Sequence, residues 1–187
     1  MPRLFIAIDL PDAIRQQLSS LRTDLAGARW VKPAQMHLTL RFIGEMDETV
    51  AQAVSVALTS VQASRFELQL NGIDCFPHRR APRVLWVGIE DNPALHRLYE
   101  TIEGSLRRLG LVAETHPFAA HITLARFKNA PVEPVKQFIK ANSEFAAEPF
   151  LVEEFRLYSS TLERQGALHQ VLATYPLDTA PAAKAAG

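Results

Sequence analysis

MHLTLRFI at residues 36–43 and AHITLARF at residues 120–127 are nearly one phrase written twice, and the fold follows from reading them together. Each has the apolar and β-branched content of a strand. Side chains alternate across a strand, so His37 and Thr39 share one face while Leu38 and Leu40 take the other. In the second copy His121 and Thr123 stand opposite Ile122 and Leu124. The aliphatic faces belong to a core and the His and Thr faces look outward. Random ordering of this composition yields about 0.04 HxTL strings, so two at matched points mark a repeat rather than an accident.

Working outward, the repeat extends to both sides. LFIAID (4–9) and LWVGIE (85–90) read as equivalent buried strands. Ile14, Leu18, Leu21 and Leu25 recur at helical spacing behind Pro11, and Leu95, Leu98, Ile102, Leu106 and Leu109 do the same behind the cap pair Asn92 and Pro93. Gly27 and Gly110 supply stops. After each HxTL strand a second helix is expected, over Asp47–Gln62 and Pro134–Ala141. Each half then closes with strands: Phe66, Leu68 and Leu70 in one, Val152–Tyr158 and His169–Tyr175 in the other. The expected fold is α+β, a duplicated two-lobed arrangement of antiparallel sheets lining a central groove with helices outside. Residues 1–178 form one domain of two pseudo-symmetric halves, about 1–80 and 81–178, and 179–187 an Ala-rich flexible tail.

The composition narrows the function classes. The 187 residues, 48% of them hydrophobic, suffice for one well-buried domain. Formal net charge is zero, so no broad positive field draws the chain onto long nucleic acid, and any RNA contact is local. Cys75 is the sole cysteine, which excludes an intramolecular disulfide and cysteine-rich metal sites and fits the cytoplasm. The opening MPRLFIAIDLP has too short an apolar run for a signal peptide or a membrane span.

Two histidines are a natural acid and base. Their unperturbed pKa near 6.5 lets one imidazole be neutral while its twin is charged. Phosphodiester cleavage needs that combination: a base for the attacking water and an acid for the departing oxygen. The hydroxyls of Thr39 and Thr123 can donate to the non-bridging phosphate oxygens. Arg41 and Arg126 each follow an HxTL and can bind phosphate as planar forks; strict alternation favours Arg41, whereas Arg126 needs a bulge or a strand end. Phe42 can stack on a terminal base, and the basic run His78–Arg79–Arg80 with Arg83 can guide an RNA end. His78, His96, His116 and His169 show no zinc spacing, no GxSxG elbow or Gly-rich phosphate loop is present, and neither a metal nor a cofactor is expected.

These residues resemble the 2H phosphoesterase superfamily, and within it the RNA 2′,3′-cyclic phosphodiesterases, also called 2′-5′ RNA ligases. The resemblance runs through RLFIAIDLP, HLTLRFIGE, FPHRRAPRVLWVGIE, HPFAAHITLARF and LYSSTLERQGALHQVL. It implies His37 as proton donor and His121 as acceptor, Thr39 and Thr123 on the phosphate, and a preference for Arg126 over Arg41. The implied activity is hydrolysis of RNA 2′,3′-cyclic phosphate ends to 2′-phosphomonoesters by a monomer, with 2′-5′ ligation as the reverse reaction. Ala120 stands where the family places Pro, and Ala167 and His169 where it places Pro and Tyr. These departures keep open a non-catalytic module that binds nucleotides or RNA ends, and neutral net charge keeps open a phosphodiesterase for a small cyclic nucleotide.

Overall fold

The computed structural model describes residues 1–77, 81–164 and 166–179. His78, Arg79 and Arg80 of the basic run, and all but the first residue of the expected tail, lie outside the described residues. In chain order the elements are β1 (Arg3–Asp9), α1 (Asp12–Ser20), β2 (Ala28–Trp30), a 3-10 turn (Pro33–Gln35), β3 (His37–Glu45), α2 (Glu48–Leu58), β4 (Phe66–Leu68) and β5 (Leu70–Phe76). There follow β6 (Val84–Ile89), α3 (Pro93–Arg108), β7 (His121–Phe127), α4 (Val132–Ala141), β8 (Phe150–Val152), β9 (Glu154–Glu163) and β10 (Gly166–Pro176).

Two antiparallel four-stranded sheets carry the molecule, ordered β10-β9-β1-β3 and β2-β7-β6-β5. The inner order repeats: β9-β1-β3 in one sheet matches β5-β6-β7 in the other. The lobes in space exchange strands, because β9 from late in the chain pairs with β1 while β5 pairs with β6. Where the chain crosses over, β4 and β8 pair with each other in a small third sheet, Phe66 opposite Val152 and Leu68 opposite Phe150.

Local chemistry places the helices. The Asp47 side chain accepts a hydrogen bond from the Val50 N–H (2.8 Å) and starts α2. Asn92 does the same for α3 through the Leu95 N–H (3.0 Å), with Pro93 in the first helical position. α1 stops at Ser20 rather than running on to Leu25. Its apolar stripe continues, but Leu25 packs in a separate cluster with Ala130 and Val135, and the Trp30 indole N–H donates to the Thr23 carbonyl (3.1 Å), drawing the chain out. The segment then enters β2, a strand the sequence patterning does not announce, which pairs with β7. Gly27 makes this possible: its φ is +77°, and a Cβ there would lie 2.9 Å from the Lys128 carbonyl oxygen.

Both sheets bury one face against a common core. Leu4, Ile6 and Ile8 of β1, Leu38 and Leu40 of β3, Leu85 and Val87 of β6, and Ile122 and Leu124 of β7 belong to one contiguous cluster with the apolar stripes of α2 and α3. The helices lie outside and the opposite sheet faces are left to a groove. Among the described residues no helix is long and apolar enough to cross a membrane. Leu38 is wholly buried, so Leu38→Ala should lower unfolding free energy by about 2–5 kcal/mol, read from the shift of the urea midpoint at unchanged slope.

Candidate active site

β3 and β7 touch one another between the two sheets. Their ladders share a detail that decides what each strand offers the groove. In the β1–β3 pairing Ile6 faces Arg41 and Ala7 faces Thr39, so Leu40 is left over. In the β6–β7 pairing Leu85 faces Ala125 and Trp86 faces Thr123, so Leu124 is left over. Each strand therefore bulges at the final Leu of its HxTL, and a bulge re-aims the side chains that follow it. Arg41 and Ala125 turn inward and are buried, while Phe42 and Arg126 at the next position are exposed. Strict alternation, which favoured Arg41 as the outward cation, does not survive this bulge.

A cavity of about 570 Å³ opens between the sheets, and His37, Thr39, Arg41, Phe42, His121, Thr123 and Arg126 all line it. Every candidate residue from the two HxTL strands is thus brought to one place. Phe42 stands 57% exposed at its wall and offers an apolar ring face there.

The two imidazoles are held alike. His121 Nδ1 lies 2.7 Å from the Ala119 carbonyl oxygen; a carbonyl can only accept, so Nδ1 carries the proton and Nε2 is left for the cavity. His37 is likewise hydrogen-bonded to the backbone of Gln35, two residues upstream. Aromatic rings flank both: Phe5 stacks on His37 at 4.9 Å, and Phe76 meets His121 edge-on at 5.2 Å with Trp86 at 6.0 Å. Phe5 and Trp86 occupy matching positions of the repeated first strands.

Around His37 the environment disfavours charge. Burial, reinforced by the neighbouring His169, pushes its pKa down to about 4. Asp9, directly across the ladder, pulls the other way, yet its carboxylate is already shared between Arg156 (2.7 Å) and the Tyr158 hydroxyl (2.5 Å). His37 is therefore a neutral imidazole at neutral pH.

Arg41 is otherwise engaged. Its guanidinium pairs with Glu103 of α3 and with Glu114, each at 2.7 Å, and donates to the Val112 carbonyl. The Glu103 contact is a charge pair rather than an aligned hydrogen bond. The residue ties β3 to α3 and to the segment leading into His121. Phe118 of that segment is stacked on Tyr99 at 4.3 Å. Arg126 has no such partner among the described residues.

His169 joins the site from β10, which motif spacing did not suggest because β10 reaches β1 and β3 only through sheet pairing. Its ring meets Phe5 at 5.0 Å and His37 at 5.6 Å, both edge-on, and burial lowers its pKa. The neighbouring Ala167 accepts through its carbonyl a hydrogen bond from the Gln35 side chain (2.6 Å), tying β10 to the turn before His37. Among the described residues no group of three or more His, Cys, Asp or Glu is placed to hold a metal ion.

The whole chain is similar to known proteins. The model of the LigT-like phosphoesterase family matches twice, over residues 8–86 and 87–169. The chain is 32% identical to an RNA 2′,3′-cyclic phosphodiesterase of Archaeoglobus fulgidus, covering 92% of this chain and 99% of the relative. It is 34% identical to one of Thermotoga maritima, covering 91% and 92%. Among solved structures, E. coli LigT in apo form superposes with a TM-score of 0.78 at 28% identity, over 95% of this chain and 99% of that one. LigT complexed with 3′-AMP superposes at 0.77 and 29% identity, with the same coverage.

Two outcomes follow. Glu103→Ala leaves the buried Arg41 charge short of a partner and should destabilise the protein by about 3–5 kcal/mol, measured by urea unfolding. His169→Gln removes a neighbouring positive charge and should raise the His37 pKa above about 4, followed by NMR titration of the imidazole resonances; an unmoved titration would show that burial alone sets it.

Proposed function

Because the chain belongs to the LigT-like phosphoesterase family, we propose that it hydrolyses RNA 2′,3′-cyclic phosphate ends to 2′-phosphomonoesters by paired-histidine acid and base catalysis. The observation that carries this reading is the matched pair of imidazoles, each tied at its back to a residue two positions upstream and both lining one cavity. The relatives named RNA 2′,3′-cyclic phosphodiesterase and the LigT structure complexed with 3′-AMP support the substrate class.

In this reading His121 takes a proton from the attacking water through Nε2, which its bond to Ala119 leaves free. His37 protonates the 3′ oxygen as its bond to phosphorus breaks, so the phosphate stays on the 2′ oxygen. Thr39 and Thr123 donate to the non-bridging oxygens, where negative charge grows. Arg126 supplies the positive charge, because its fork is unspent where that of Arg41 is not. Phe42 offers a face to the terminal base. His37 is neutral at neutral pH, so its donor role depends on the bound diester anion raising its pKa. The chemistry needs no metal or cofactor from these residues. Run backwards it joins a cyclic end to a 5′-hydroxyl by a 2′-5′ link, with water favouring hydrolysis. The same reading takes the protein as a monomer, and the single cysteine suits the cytoplasm.

Phosphorus NMR of a 2′,3′-cyclic-ended oligonucleotide tests the reading, since it reports both turnover and which oxygen keeps the phosphate. His37→Ala or His121→Ala should lower kcat by roughly 10²- to 10⁴-fold, with thermal unfolding near wild type. Full activity in either variant would sink the proposal. kcat/KM should follow a bell whose acidic limb lies near the His37 value of about 4. Either protonation order gives that bell, so the roles are separated by leaving group. On a diester with a p-nitrophenolate leaving group, which departs without a proton, His37→Ala should lose much less than on RNA, whereas His121→Ala should lose equally on both.

A further inference from the structure

The positive charge at the cavity does not end at Arg126. β2 runs beside β7 with Arg29 directly opposite Arg126 in the ladder, and residues directly opposite in antiparallel strands share a face. A shallow depression, lined by Gly27, Ala28, Arg29, Arg126, Phe127 and Lys128, continues from there. Arg126 belongs to both hollows. Among the described residues no carboxylate lines the second one.

This arrangement is electrostatically unfavourable on its own. Like charges directly opposite on paired strands destabilise a sheet, and Lys128 adds a third positive charge at the end of β7. Five arginines of the chain, Arg3, Arg15, Arg41, Arg65 and Arg156, each lie against a carboxylate; what sets the β2–β7 edge apart is that two of its cations stand directly opposite one another on paired strands. Among the described residues Arg29, Arg126 and Lys128 have no carboxylate partner, and all three are exposed. The backbone there is fixed rather than loose, because the Lys128 N–H donates to the Gly27 carbonyl (3.1 Å) at the point where only glycine fits. Uncompensated cations on a defined strand edge, continuous with a phosphate-binding cavity, call for an anion that arrives with the substrate.

We propose that Arg29 and Lys128, extending from Arg126, form a second phosphate site that binds the phosphodiester on the 5′ side of the cyclic end, making an oligonucleotide a better substrate than a cyclic mononucleotide. This rests on the cavity taking the cyclic end itself. Arg126, reaching both hollows, sits between the two phosphates. Because the contacts are to backbone charge, the site reads the presence of a preceding nucleotide and not its base. It also reconciles RNA binding with a chain of zero net charge: the field is confined to one strand edge.

The test compares a 2′,3′-cyclic mononucleotide with a cyclic-ended trinucleotide, using wild type and the double variant Arg29→Ala/Lys128→Ala. Wild type should prefer the trinucleotide. The double variant should lose about tenfold in kcat/KM on the trinucleotide at low salt, and its dependence on log salt should flatten by about 0.7 per lost phosphate contact. On the mononucleotide it should stay within about twofold of wild type, since neither side chain reaches the cavity. Removing Arg29 relieves the cross-strand repulsion, so thermal stability should hold or rise. Equal losses on both substrates, or none on the trinucleotide, would overturn the second site. Fluorescence anisotropy with a trinucleotide ending in a 2′-phosphate gives a readout independent of turnover. Weaker binding by the variant supports the site even if wild type proves inactive, an outcome that would instead remove the catalytic reading. Unchanged binding overturns it.

Discussion

Leu38, Leu40, Ile122 and Leu124 are buried in one core, and that burial is the constraint from which the site follows. A strand that commits its aliphatic face to a core has no freedom left for the other face. His37 and Thr39, and likewise His121 and Thr123, must look into the groove. A one-residue slip in either register would exchange imidazoles for leucines, at the expense of the most buried apolar contacts in the molecule. The placement of the two imidazoles is thus stabilised by the hydrophobic core beneath them.

The duplication supplies matched scaffolds, and departures from its symmetry supply function. Both HxTL strands bulge at the same Leu and both re-aim their sixth residue at the cavity, but that residue is Phe42 in one lobe and Arg126 in the other. The matched positions thus carry an aromatic ring in one lobe and a guanidinium in the other. The fifth residues differ too. Ala125 needs no partner, while Arg41 is turned inward to pair with the buried Glu103 and the exposed Glu114, bracing the approach to His121. Charge repulsion left standing between Arg29 and Arg126 is a further asymmetry.

His37 shows how the same environment serves stability and chemistry. Stacking on Phe5 and the proximity of His169 make a good packing site and a poor site for a positive charge. Asp9 sits close enough to counter this, but its oxygens are held by Arg156 and Tyr158, so the balance stays with burial.

Much was legible in the sequence because strand and helix faces are set by local periodicity. The repeated HxTL, the order of most elements, the cap at Asn92, and the side of the strand on which His37, Thr39, His121 and Thr123 emerge all depend on neighbours a few residues away. What depended on pairing between distant segments was not legible. The bulges at Leu40 and Leu124, which bury Arg41 and expose Arg126, are properties of a ladder shared with β1 or β6. The end of α1 at Ser20 and the existence of β2 depend on what Leu25 and Trp30 find to pack against. His169 comes beside His37 only because β9 crosses to β1 and carries β10 with it. Alternation is written into a single strand, whereas register and sheet order are set by which hydrogen-bonding edges meet after the chain has folded, and only the tertiary structure decides that.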